Sequence, residues 1–125
     1  MLTTQTIRAL LADDHDLVRH SISRMLRAHP ELQVLGEARS FAEIFEKAED
    51  LKPMVVLMDI HMPDESDFSP ETVKTRLQSS TKHVLAMSVW NDEESQKLAV
   101  SYGASVLLDK SKLASDLMPV IMALF

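Results

Sequence analysis

The segment Met54-Val55-Val56-Leu57-Met58-Asp59, running on into Ile60-His61-Met62-Pro63, carries five apolar residues in succession, with Pro53 in front and a carboxylate at its end. Two of the five are β-branched. A run of this length with no polar alternation fits a short strand buried on both faces, as a central strand of a parallel sheet is. Asp59 stands where that strand ends. A charge there costs desolvation unless a cation or donor meets it, and in open α/β sheets sites collect just outside the carboxyl ends of the strands. Asp59 is therefore the first candidate for chemistry.

Other apolar runs end in the same manner. Ile7-Arg8-Ala9-Leu10-Leu11-Ala12 breaks into Asp13-Asp14-His15-Asp16, His83-Val84-Leu85-Ala86-Met87-Ser88 ends on a hydroxyl, and Ser105-Val106-Leu107-Leu108 is closed by Asp109-Lys110. Leu32 to Gly36 supplies one more short strand. Helical spacing fills the intervals. A first helix places Leu17, Val18, Ile22, Met25 and Leu26 inward, with Arg19, His20, Ser23, Arg24 and Arg27 on the opposite face, and Pro30 stops it. Ser40 with Glu43 makes a capping box for a helix on Phe41, Ile44, Phe45, Ala48 and Leu51, and Ser69-Pro70-Glu71 opens another with Val73 and Leu77 inward. Asn91 and Glu94 cap a helix through Leu98, Ala99 and Tyr102 that leaves at Gly103. A last helix starts near Ser115, which keeps Pro119 near its first turn, and runs on Leu117, Val120, Ile121 and Leu124. Five strands alternating with five helices over short connections predict an α/β, doubly wound five-stranded parallel sheet with helices on both faces through right-handed crossovers.

A chain of 125 residues suits a single domain spanning 1-125. It has no cysteine, which removes disulfides and thiolate metal sites and favours a cytoplasmic setting. No apolar run approaches the ~20 residues a bilayer span needs, and Met1-Leu2-Thr3-Thr4-Gln5-Thr6 lacks the layout of a signal peptide, so no membrane association is expected. The net charge of −6 makes direct nucleic-acid binding by this domain a poor expectation. Two glycines, Gly36 and Gly103, cannot build a dinucleotide fingerprint or a phosphate-binding P-loop. The five histidines show no ligand pair at i, i+4 with a third nearby and read as solvated; the eight methionines read as core filler.

In the expected topology Asp13, Asp14, Asp59, Ser88 and Lys110 converge on one edge of the sheet. Singly, each has a plainer reading: the acids as helix N-terminal charges, Lys110 as a solvated cation, Ser88 as a turn hydroxyl. Together they are harder to explain that way. Three neighbouring carboxylates repel one another unless a cation neutralises them, and hard oxygen donors with no His or Cys at ligand spacing point to Mg²⁺, which keeps waters that a phosphoryl oxygen can replace. With an ammonium and a hydroxyl beside them, these are the parts for phosphoryl transfer.

The acidic pair Asp13-Asp14, the segment Asp59-Ile60-His61-Met62-Pro63, Ser88 and Lys110, in this order, resemble the receiver domain of two-component response regulators over essentially the whole chain. Leu11-Ala12-Asp13-Asp14-His15 is most similar to the NarL/FixJ (LuxR-type) branch. The resemblance implies a flavodoxin-like (βα)5 fold with the strands in the order 2-1-3-4-5. The resemblance implies that Asp59 is the phosphoacceptor, taking a phosphoryl group from a phosphohistidine of a sensor histidine kinase or phosphotransfer protein. It implies that Asp14 and Asp59 ligate Mg²⁺ directly, that the main-chain carbonyl of His61 adds a ligand and that Asp13 acts through a bound water. Lys110 would pair with the phosphoryl group, and Ser88 would hydrogen-bond it and switch the conformation.

Further implications are a phosphorelay role in the cytoplasm, a homodimer on phosphorylation and control of transcription through a helix-turn-helix outside this chain. No turnover of an external substrate is implied beyond self-phosphorylation and slow dephosphorylation. Four positions depart from the family pattern. Leu107 stands where an aromatic is usual, Ser111 where a proline commonly follows the lysine, Asp67 at a common glycine position, and Val89 where a small residue follows the serine. The departures at Leu107, Val89 and Asp67 leave open a second reading, a degenerate receiver serving as a phosphorylation-independent interaction module. A haloacid-type aspartyl phosphatase would carry a second Asp where His61 stands. A flavodoxin-like nucleotide binder would need Ser, Thr or Gly where Asp13-Asp14-His15-Asp16 stands.

Overall fold

The computed structural model describes residues 6–125, so the expectation about the leading segment lies outside it from Met1 to Gln5. The elements alternate: β1 (Ile7–Ala12), α1 (Asp16–Arg27), β2 (Leu32–Ala38), α2 (Phe41–Leu51), β3 (Val55–Asp59), α3 (Pro70–Gln78), β4 (His83–Ser88), α4 (Glu93–Ser101), β5 (Val106–Asp109) and α5 (Leu113–Leu124). Single 3₁₀ turns occupy Glu65–Asp67 and Lys110–Lys112. The strands form one parallel sheet in the order β2-β1-β3-β4-β5. This is the doubly wound order expected, and β3, central, is buried along its whole length.

The pleat sends alternate residues to opposite faces. Leu10, Val56, Met58 and Ala86 pack beneath α2, α3 and α4 with Phe41, Ile44, Leu77 and Tyr102. Leu11, Leu57, Leu85 and Met87 pack beneath α1 and α5 with Ile22, Leu26, Leu117 and Ile121. Each face therefore buries its own core, and the carboxyl ends of the strands offer an edge where polar side chains can gather without interrupting either.

Several local expectations are corrected. The face of α1 that packs on the sheet carries Ile22 and Leu26 together with Arg19 and Ser23, whereas Leu17 is 85% exposed and Val18 also faces outward. Two polar residues are buried there because Glu37 on β2 supplies acceptors for them. At α2, Ser40 caps as expected by accepting from the Glu43 amide, but the Glu43 carboxylate accepts from the Arg39 amide, one residue outside the usual box. The Phe41 and Ala42 amides instead donate to Asp64, from the loop after β3. The cap of α4 is Asp92, which accepts from the Ser95 amide at 2.8 Å, while Asn91 accepts from the Gln96 side chain. A carboxylate gains more than an amide from the positive end of the helix. Helix α5 begins at Leu113, earlier than Ser115, because Leu113 is buried against the sheet directly after the 3₁₀ turn. Pro119 thus lies inside the helix on its exposed side, where water can meet the carbonyl that the proline leaves unpaired. Strand β2 runs on to Ala38, and β5 starts one residue later than expected.

Candidate phosphoacceptor site

Four strands end in the same local device. Asp13 Oδ1 accepts from the His15 amide, Asp59 Oδ1 from the His61 amide and Asp109 Oδ1 from the Ser111 amide, each at 2.9 Å; Ser88 Oγ accepts from the Trp90 amide at 2.9 Å. A short polar side chain bonding the amide two residues on turns the chain out of its strand. For Asp13 and Asp59 this engages one carboxylate oxygen and aims the other across the edge of the sheet.

Those second oxygens meet one cation. Lys110 Nζ donates to Asp13 Oδ2 at 2.6 Å and to Asp59 Oδ2 at 2.5 Å. Asp13 is fully buried and Asp59 is 6% exposed, so the ammonium offsets two carboxylates that are almost out of water. Burial alone would lower the Lys110 pKa, but the bonds to Asp13 and Asp59 outweigh it and hold it above the ordinary lysine value.

Asp14 is placed differently. Its Oδ1 is shielded from solvent and has no hydrogen-bond partner among the described residues, although His15 Nδ1 lies 3.1 Å away in poor hydrogen-bonding geometry. The oxygen's lone pairs are left unused. Donor atoms of Asp13, Asp14, His15 and Asp59 all lie within 4.8 Å of one another. An oxygen-rich set with one carboxylate oxygen unpaired fits Mg²⁺, whose ligands lie about 2 Å from the ion and about 4 Å apart across it. His15 was not expected in this group. Its Nδ1 also approaches Asp13 Oδ1 at 3.2 Å, a placement set by the turn after β1 that spacing along the chain does not show.

Residues 9–122 match the family model described as the response regulator receiver domain. The chain belongs to this receiver family. It is 37% identical to the response regulator GacA of Pseudomonas protegens over 119 residues, covering 95% of this chain and 55% of that protein. It is 33% identical to the nitrate/nitrite response regulator protein NarL of Escherichia coli K12, covering 90% of this chain and 51% of that protein. The receiver thus spans about half the length of these curated relatives. Among solved structures, the receiver domain of the putative response regulator NarL from Mycobacterium tuberculosis superposes with a TM-score of 0.82 at 25% identity, covering 96% of both chains. A LuxR-family response regulator from Aurantimonas sp. SI85-9A1 also gives 0.82 at 25% identity, covering 96% of this chain and 85% of that one.

Of the residues singled out from sequence, the receiver brings Asp13, Asp14, Asp59 and Lys110 into one cluster. Ser88, 2% exposed, ends the neighbouring strand one residue beyond Met87, the partner of Asp59 in the sheet. His61 lies in the loop after Asp59 and shares a groove with Trp90, Asp92, Glu94, Ser95 and Leu98. Among the departures, Leu107 is partly buried against the α2–α4 core, Asp67 is exposed in its 3₁₀ turn, and Val89 points outward beside the exposed Trp90. Tyr102 packs edge-on to Phe41, with ring centroids 5.3 Å apart, as core rather than as part of the site.

Proposed function

We propose that this receiver is a working phosphoacceptor, with Asp59 as the residue modified. The observation that supports it most is the sharing of Lys110 between Asp13 and Asp59 beside an unpaired oxygen of Asp14. An arrangement serving only shape would leave no carboxylate oxygen buried and unmet, since such an orphan costs on the order of 1–3 kcal/mol.

In the transfer, an Asp59 oxygen forms a bond to phosphorus while the P–N bond of the donor's phosphohistidine breaks, the electron pair leaving on the imidazole nitrogen. Asp14 and Asp59, with the His61 carbonyl, would hold Mg²⁺ directly, and Asp13 would do so through a water. Mg²⁺, when bound, supplies positive charge to the phosphoryl oxygens. Lys110, already bonded to Asp59 Oδ2, is placed to donate to an oxygen of the transferred group. Ser88 uses its oxygen to accept from Trp90 and keeps its own proton to give to that group. Moving Ser88 and Lys110 toward a new dianion is how a local charge becomes a change in shape.

The donor would be a sensor histidine kinase or phosphotransfer protein. The groove between α1 and α5, lined by Leu17, Val18, Ile22, Met25 and Leu113 and reaching Lys110, opens beside the site it must approach. The output would be transcription, through a segment outside this chain, with dimerisation on phosphorylation and a cytoplasmic location. Among the described residues no helix is long and apolar enough to cross a membrane.

Beryllofluoride, a phosphoryl mimic, tests the reading through the fluorescence of Trp90, the one tryptophan. A saturable change that needs Mg²⁺ and is lost in Asp59→Asn is expected. No change at any Mg²⁺ concentration would favour the interaction module and overturn the phosphoacceptor reading.

A further inference from the structure

We propose that Arg19, on the first turns of α1, is a positioning residue for the acidic pair, acting through the main-chain carbonyl of Asp13. The proposal rests on the receiver reading above.

Arg19 is 8% exposed, an unusual place for a guanidinium. Its Nη1 donates to the Asp13 carbonyl at 3.0 Å and to Asp16 Oδ1 at 2.9 Å, and its Nε donates to Glu37 Oε1 at 3.0 Å. One planar group thereby ties together the end of β1, the start of α1 and the carboxyl end of β2. Burial opposes its charge, and the bonds to Asp16 and Glu37 more than restore it.

The carbonyl it holds matters because the peptide unit is planar. The Asp13 carbonyl and the Asp14 amide belong to one rigid plane, so fixing that carbonyl restricts the directions in which both side chains leave the backbone. Asp13 is then set toward Lys110 and Asp14 toward the open donor position. The other side of residue 13 is tied to the same strand, since its amide donates to the Ala38 carbonyl at 3.0 Å. With both sides anchored to β2, the pair cannot pivot without breaking a buried bond. A lysine at this position keeps the charge but lacks the fork that reaches three acceptors at once.

Groups that orient a metal's ligands without touching the metal cost about 10–100-fold in metal affinity when removed. Mg²⁺ titration followed by Trp90 fluorescence, with thermal melts alongside, separates this role from a general one in stability. Arg19→Gln and Arg19→Lys are expected to weaken Mg²⁺ binding about tenfold or more. Arg27→Gln is the control: Arg27 bonds Ser23 Oγ at 3.0 Å and approaches Glu37 at 4.0 Å, so it removes a cation from the same network without a link to Asp13. It is expected to stay within about twofold of wild type, well below the loss typical of an orienting group.

Should Arg19→Gln unfold, Arg19→Lys carries the comparison. Wild-type Mg²⁺ affinity in a folded Arg19 variant, even with a lowered melting temperature, would overturn the proposal. So would an equal loss in Arg27→Gln. A wild-type protein that gives no response to Mg²⁺ would instead remove the phosphoacceptor reading and this proposal together.

Discussion

Lys110 carries the electrostatic balance of the site. Among the described residues its ammonium is the cation bonded to both of the most buried carboxylates, Asp13 and Asp59, and a divalent ion would neutralise the same charges. Removing one partner of such a buried arrangement typically costs about 3–5 kcal/mol. Lys110→Ala should therefore melt well below wild type without Mg²⁺ and recover more of the loss than wild type gains when Mg²⁺ is added. Thermal denaturation across a Mg²⁺ series checks this; equal Mg²⁺ shifts in the two proteins would mean that lysine and metal do not share ligands. The place of Lys110 in the cluster is readable in sequence because it lies at a strand end, as Asp13 and Asp59 do. The part of His15 is not, because its imidazole reaches the cluster only through the turn that Asp13 makes with the His15 amide.

Helix α1 shows where periodicity stops informing. Its apolar residues spread over one wide arc, from Leu17 through Val18 and Ile22 to Leu26, and either end of it could face the sheet. Glu37, distant in sequence, decides between the ends by giving Arg19 and Ser23 a partner inside. The two ends differ sharply in energetic weight. Leu26→Ala, at a site 1% exposed, should destabilise by about 2–5 kcal/mol, whereas Leu17→Gln should change stability by about 0.5 kcal/mol or less. Urea denaturation of the two variants distinguishes them, and a large cost at Leu17 with none at Leu26 would reverse the assigned face. The cap of α2 by Asp64 is hidden for the same reason, being a contact between segments that only the folded topology brings together. Strands β1 and β4, by contrast, keep the bounds expected of them, because each apolar run breaks at its carboxyl end into a polar side chain, Asp13 after β1 and Ser88 at the end of β4.

The alternation of strands and helices predicts a parallel sheet covered on both faces, the family resemblance implies its strand order, and the two cores leave the carboxyl ends of the strands as the place for charge. The same architecture sets the response to alkali. Burial, and secondarily the charge of Glu65, pushes Tyr102 up from 10.0 to about 12, and Lys110 is raised by its two carboxylates against the effect of burial. Both groups have folded pKa values above their unfolded ones, so the stability they contribute is fully present below pH 10 and is lost as pH rises through the folded values. Tyr102 is the only tyrosine. Its absorbance should titrate near pH 12, or jump at unfolding, in the native protein and near 10.0 in urea. A native midpoint near 10.0 would place the phenol in water and not in the core.

Transfer onto Asp59 is read most directly by the intact mass of the receiver after incubation with acetyl phosphate and Mg²⁺, beside Asp59→Asn treated identically. One added phosphoryl group in the wild-type protein, lost when Mg²⁺ is withheld and absent from the variant, is expected. An unmodified wild-type mass, or equal modification of the variant, would show that Asp59 is not the acceptor.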